Sequence, residues 1–160
     1  MGKNTLSSLT SVQDEDVQPN AVDLRVAKIF RIEPGSVFEI SNEHKKHRRT
    51  REIQPDADGY LYLEPGHYEV VMENIINVGA NEAGWVITRS TLNRNGLFIT
   101  SGLYDSGYHG AMAGALHVTV GSAKIKKGTR IGQYLCFDSE SVSMYNGDYG
   151  LNKAHDKKYE

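Results

Sequence analysis

The sequence of 160 residues holds a single cysteine, Cys136. That excludes an internal disulfide framework and any zinc cage built from several thiolates, and it suits a reducing compartment, so the cytoplasm is expected. Long apolar runs are lacking: none approaches the roughly 20 residues that cross a bilayer. The opening "MGKNTLSSLTSVQDED" has no apolar core of the kind a secretory signal carries, and its Met-Gly start is not read as an acylation signal. A dominant charge sign is lacking as well. The formal net charge of −2 gives no bulk electrostatic reason for a nucleic-acid partner, and no membrane partner is expected. What these absences leave is a soluble chain, 39% hydrophobic and long enough for one compact domain, 1–160, with a real core.

Glycine is plentiful, at 16 residues, and it falls between short alternating or β-branched stretches. Strands are predicted at 21–26, 36–40, 59–63, 67–73, 84–88, 96–100, 115–120 and 129–137. "EPGS", "EPGH" and "KKGT" read as the turns between them, with proline or glycine setting the backbone angles. One short helix is predicted over "STLNRNG" (90–96), ending on glycine. Regularly spaced short strands argue for a mainly β sandwich or barrel. Residues 1–19 read as a polar loop-like segment. Residues 41–58, with "NEHKKHRRTREIQPDAD", could be a phosphate-binding basic patch, but their interleaved acids favour a solvated insertion away from the glycine-rich turns.

Four segments can carry chemistry. In "TRSTLNRNGL" a strand ends in Arg89, Ser90 and Thr91 at a helix start, where backbone N–H groups, a guanidinium and two hydroxyls suit an anion; simple N-capping by Ser90 or Thr91 is the alternative. "YDSGYHG" sets Asp105 and Tyr108 on a hairpin whose glycines, Gly107 among them, permit positive φ, although an ordinary Asp-Ser-Gly turn reads the same way. "KKGTRIGQY" is a tight turn feeding a strand with Gln133. "QPNAVDLRV" places Asp23 and Arg25 on one strand face, where a paired surface Asp and Arg is the usual explanation.

Taken in order, the segments resemble the family of trimeric dUTPases and dCTP deaminases. The resemblance runs from "QPNAVDLRV" through "LEPGHYEVVMENIINVGANEAGWVITRSTLNRNGL" and "GLYDSGYHG" to "KKGTRIGQYLCF". The "QP-x-x-VDLR" start and the "YNGDYGLNKAHDKKY" tail are closer to the deaminase branch, and the glycine-rich C-terminal phosphate loop of many dUTPases is absent. The resemblance implies a distorted β-barrel or jelly-roll-like fold with one short helix, a homotrimer, and active sites shared between subunits. It also implies roles. Asp105 orients the attacking water, and Tyr108 stacks under the deoxyribose. Arg89, Ser90, Arg94 and Gln133 grip the triphosphate. Asp23 faces a Mg²⁺ on the phosphates through water, and Lys158, in a C-terminal lid (139–160), closes over the nucleotide. His109 stands where arginine is common in the family.

One departure decides the expected reaction. Deaminating members carry a glutamate ten residues past the aspartate, and here that position is Ala115. Deamination needs a group to move protons between water, ring nitrogen and ammonia, which a methyl cannot do. His117 lies on the same face one strand repeat farther on, but a core or inter-subunit histidine is the plainer reading. A zinc route needs further cysteines. Diphosphate release asks for one water-holding aspartate and charge neutralisation. The expected activity is therefore Mg²⁺-assisted hydrolysis of dUTP, or a related pyrimidine deoxynucleotide, to the monophosphate and diphosphate. A dCTP deaminase with a relocated proton shuttle and a catalytically silent nucleotide-binding homologue are the alternatives.

Overall fold

A computed structural model describes residues 4–160; the Met-Gly start lies outside the described residues. In chain order the strands are β1 (Ser8–Leu9), β2 (Val22–Ile32), β3 (Glu39–Ile40), β4 (Lys45–Lys46), β5 (Thr50–Glu52), β6 (Tyr60–Leu63), β7 (Gly66–Asn77) and β8 (Glu82–Thr88). After the one-turn helix α1 (Ser90–Asn93) come β9 (Leu97–Thr100), β10 (His109–Val118), β11 (Ala123–Lys126) and β12 (Arg130–Asp138). Neighbours in the main sheet run β8-β12-β2-β7-β10-β9, all pairs antiparallel, with β1 added to β7 and β5 to β2. β6 and β11 form a separate antiparallel pair from distant parts of the chain.

The sheet curls because its two ends are stitched together. Thr88 Oγ1 accepts from the Ile99 N–H at 2.7 Å and donates to the Ile99 carbonyl at 3.1 Å. Farther along, Gly84 and Tyr104 exchange both backbone hydrogen bonds, at 2.8 and 2.9 Å. The mainly β, barrel-like expectation holds. Period-two alternation fills the interior: Tyr68, Val70 and Met72 of β7 point into the core while Glu69, Val71 and Glu73 take the other face. On β2 an irregularity between Val26 and Lys28 inserts Ala27 as an extra residue, so Leu24, Val26 and Ile29 all reach the core despite their broken parity.

The outer face of β2, β7 and β10 carries a second apolar group, Phe30, Val71 and Ala111, and Tyr159 near the end of the chain packs on it. Its ring lies 6.1 Å from that of Phe30, and Lys28 Nζ donates to the Tyr159 carbonyl at 2.9 Å. A short 3₁₀ turn, Asp156–Tyr159, carries the end of the chain onto this face.

Three local expectations change. Most of 36–40 stays irregular, leaving only Glu39–Ile40 paired to Lys45–Lys46. The strand expected to begin at 115 begins at His109 and pairs with β7, and its small residues leave room for β9 on the other side: a Cβ on Gly114 would lie 2.6 Å from the Thr100 carbonyl oxygen. The short helix expected within 90–96 is there as a single turn, Ser90–Asn93. The N-terminal segment is not wholly loop-like, since Ser8–Leu9 pairs with Asn77 and Ile76, and Glu82 takes hydrogen bonds from Thr5 Oγ1, the Leu6 N–H and the Ser7 N–H and hydroxyl.

Candidate active site

The phosphate-type residues converge at one end of β8. Asp23 pairs with Gln133 in the β2–β12 ladder, so both side chains share a face, and Gln133 Nε2 donates to Asp23 Oδ1 at 3.0 Å. The other carboxylate oxygen lies 3.3 Å from Arg89 Nε and 3.5 Å from Arg130 Nη1. Asp23 is fully buried, whereas both guanidiniums are about one-third exposed. A buried carboxylate thus holds two arginines at the surface, and Arg89 also donates to the Arg130 carbonyl at 3.3 Å. The expectation of a surface Asp23–Arg25 pair is wrong: Arg25 pairs instead with Asp16 at 2.7 Å and Glu15 at 3.1 Å. The reason is the irregular register between Arg130 and Gly132, which sets Arg130 opposite Arg25 but lets its guanidinium reach Asp23. Sequence reasoning missed Arg130; the β2–β12 pairing that brings it in is not written locally.

N-capping does not explain the Arg-Ser-Thr cluster. Arg89 is the N-cap and makes no side-chain capping bond, while Ser90, Thr91 and Arg94 are all exposed beside it.

Asp105 sits at the other end of β8. It opens the turn closed by the Tyr108 N–H on the Asp105 carbonyl at 3.0 Å, with Gly107 at φ +81°. The Asp105 side chain is exposed and borders a cavity of about 420 Å³ with Ser106, Ser141 and Tyr145. Tyr108 is buried, its hydroxyl donating to the Ala111 carbonyl at 2.8 Å and its ring 5.1 Å from Tyr104 and 5.4 Å from Tyr145. Burial pushes that hydroxyl well above the usual tyrosine range.

Tyr108 also walls a second cavity of about 630 Å³, which reaches Lys45, His47, Glu69 and Gly114. A third of about 350 Å³ shares His47, Glu69 and Gly114 with it and adds Arg48, Ala115 and Lys158. The basic 41–58 segment is solvent-exposed as expected, but it is not remote from the cavities. Lys45 is tied to Asp148 at 2.5 Å, and His47 stacks 4.3 Å from His155. Burial, with the His155 ring against it, pushes His47 below the usual histidine range. His117 is not a core residue: half-buried, it contacts His67 at 2.7 Å and Thr100 Oγ1 at 3.0 Å.

Lys158 borders the cavity beside Ala115, with Nζ 2.6 Å from Glu69 Oε2. Glu69 escaped the sequence reading, since it lies on the face of β7 that alternation assigns to solvent.

Among the described residues no three carboxylate, imidazole or thiol groups converge, and Asp23, the acid expected near Mg²⁺, is sealed beneath two arginines. These residues do not fit a protein-held metal ion.

With this geometry in place, comparisons with known proteins are informative. Residues 3–139 match the dCTP deaminase-like family. The deoxyuridine 5′-triphosphate nucleotidohydrolase of Methanocaldococcus jannaschii is 33% identical over 152 residues, 93% of this chain and 97% of its own. A probable deoxyuridine 5′-triphosphate nucleotidohydrolase of Halobacterium salinarum is 31% identical over 144 residues, 86% of this chain and 85% of its own. Among solved structures, the 2′-deoxycytidine 5′-triphosphate deaminase of Agrobacterium tumefaciens shares the fold with a TM-score of 0.61 at 16% identity, covering 81% of this chain but 43% of that one. A Staphylococcus bacteriophage 80alpha dUTPase mutant with dUpNHpp gives 0.55 at 13% identity over 92% of this chain and 94% of its own.

Proposed function

The chain belongs to the dCTP deaminase-like family, and from that premise we propose that it hydrolyses dUTP to dUMP and diphosphate. The observation that carries the choice of reaction is Ala115: its methyl stands on the cavity wall shared with Glu69 and Lys158, where a deaminating relative needs a proton-shuttling side chain. The archaeal relatives named as dUTP nucleotidohydrolases, at about 30% identity over most of the chain, support the same reading.

In this reading Asp105 holds a water and accepts its proton as the oxygen bonds to the α-phosphorus. The bond from that phosphorus to the bridging oxygen breaks, and diphosphate leaves. Charge on the phosphate oxygens is met by Arg89, Arg94, the Ser90 and Thr91 hydroxyls and Gln133, with Asp23 fixing Arg89 and Gln133 from beneath. Mg²⁺ enters as the counter-ion of the triphosphate substrate. Tyr108 offers its ring face to the sugar, Gly107 gives the turn its shape, and Lys158 closes from the tail.

The site is completed by a second copy of the chain, in a homotrimer. Gly84, paired to Tyr104 beside Asp105, and Arg89 are five residues apart along β8, about 17 Å at the usual strand rise. That is too far for one nucleotide's α-phosphate to meet both within one chain. The face of β8 and β12 next to Asp23 also leaves Trp85, Ile87 and Phe137 exposed at 50%, 37% and 47%, an apolar patch suited to a subunit contact.

The test is incubation with dUTP and with dCTP in Mg²⁺, following diphosphate and ammonia separately. Diphosphate without ammonia is expected; ammonia from dCTP overturns the reading. Asp105→Asn is expected to lower hydrolysis by about 10² to 10⁴-fold with nucleotide binding retained.

A further inference from the structure

The β7–β10 ladder sets Glu69 directly opposite Ala115. Paired residues project from the same sheet face with Cβ atoms about 5 Å apart, so the Glu69 side chain stands over the space that the alanine leaves open. Glu69 Oε2 accepts from Lys158 Nζ at 2.6 Å, and Oε1 accepts from the Tyr159 hydroxyl. A carboxylate oxygen can accept twice, so each keeps a lone pair. Lys158 has one other polar contact, Thr50 Oγ1 at 3.5 Å, and keeps a donor. Both side chains are accessible, at 16% for Glu69 and 30% for Lys158, and both line the cavity beside Ala115. That cavity joins the one walled by Tyr108 through Glu69, Gly114 and His47. An acceptor and a donor therefore lie side by side on a concave wall whose cavity adjoins the one Tyr108 borders.

We propose that the Glu69–Lys158 pair reads the base edge and selects uracil against cytosine, an assignment that rests on the diphosphatase reading. Uracil presents an N3–H donor next to an O4 acceptor. The Glu69 carboxylate accepts a hydrogen bond from N3–H, and the Lys158 ammonium donates to O4. Cytosine presents the reverse, a bare N3 beside an amino group. It would set lone pair against carboxylate and N–H against ammonium, leaving part-buried charged groups unpaired. The ion pair is neutral as a unit, which matches a neutral base. Ala115 supplies the room; a longer side chain there would fill the space above the pair.

The experiment compares wild type, Glu69→Gln, Lys158→Met and Lys28→Met. Lys28 anchors the tail at the Tyr159 carbonyl and faces neither cavity, so it reports tail anchorage alone. Two readouts are taken: kcat/KM for dUTP and dCTP, and Kd for dUMP and dCMP. Glu69→Gln and Lys158→Met are each expected to shrink the uracil-to-cytosine ratio by about tenfold to a hundredfold in both readouts, as losing a charged hydrogen bond does. Lys28→Met is expected to move both nucleotides by one common factor. If the two wall variants also move both nucleotides equally, the pair is only a tail anchor and the assignment falls. Ammonia released from dCTP by wild type and lost in Glu69→Gln overturns it too, making Glu69 a proton shuttle. If wild type hydrolyses nothing yet prefers dUMP, and Glu69→Gln erases that preference, base reading stands and the diphosphatase reading fails. No preference in wild type in either readout overturns the base-reading assignment, and the diphosphatase reading falls with it only if no diphosphate is released.

Discussion

Asp105 and Arg89 occupy opposite ends of one strand: Asp105 follows the residue paired to Gly84 at the start of β8, and Arg89 follows the last residue of β8. If water activation and phosphate grip come from different copies, two dead variants should rescue one another. Asp105→Asn and Arg89→Ala are each expected to be inactive alone. Co-refolded in equal amounts, they should recover about a quarter of wild-type activity, the statistical share of sites with both residues intact in a mixed symmetric oligomer. A mixture as inactive as its parts would place both residues in one chain's site.

Asp23 is expected to matter twice, for stability and for substrate grip. It is a fully buried anion against two half-open cations, and removing one partner of a buried pair is severe. Asp23→Asn keeps an acceptor for Gln133 but leaves Arg89 and Arg130 facing each other without a counter-charge. A loss of about 3 kcal/mol in denaturant unfolding is expected. In residual activity, KM should rise more than kcat falls, because the arginine loses its fixed orientation.

Acid should loosen the N-terminal strap as pH falls toward 2. Burial alone would raise the Glu82 carboxyl, but hydrogen bonds from the Ser7 hydroxyl, the Leu6 N–H, Thr5 and Cys136 outweigh it and hold the pKa at about 2. A folded-state value below the unfolded one adds stability above about pH 4.5, which is lost as pH falls toward 2. The contribution is on the order of 2–3 kcal/mol. Glu82→Gln should be less stable at pH 7 and show a flatter stability profile between pH 5 and 2. A profile unchanged from wild type would mean that Glu82 does not hold the strap.

The parts of this architecture that rest on local signals were legible in the sequence. Turn residues bracket most of the strands, and the order of Asp23, Arg89-Ser90, Asp105-x-x-Tyr108 and Gln133 carried the candidate site. Register was not legible. That Asp23 meets Arg130 rather than Arg25, and that Glu69 faces Ala115, are consequences of which strands pair and where a residue is inserted. Alternation even misdirects at Glu69: "HYEVVME" assigns it to water, while the tail 90 residues later covers that face with Lys158 and Tyr159. That the exposed 41–58 segment reaches the cavity wall was not legible for the same reason, because the partners that bring it there, Asp148 and His155, lie in the tail.

Gly84 is expected to be the least replaceable residue of β8. It lies where β8, β12 and Tyr104 meet, paired to Cys136 on one side and to Tyr104 on the other. A Cβ there would fall 1.9 Å from the hydroxyl oxygen of Tyr134 and 2.2 Å from its ring. Tyr134 is fully buried, so its ring has no open space to retreat into. Gly84→Ala should therefore destabilise by about 3 kcal/mol, at the upper end of what overpacking a core brings. Activity should fall with it, since Tyr104 immediately precedes Asp105. Gly35→Ala is the matched control: nothing lies within 4 Å of a Cβ at that exposed turn, and a change within about 0.5 kcal/mol is expected. Equal denaturation midpoints for the two variants would show that Tyr134 can move aside, and that the junction beneath Asp105 is looser than its contacts imply.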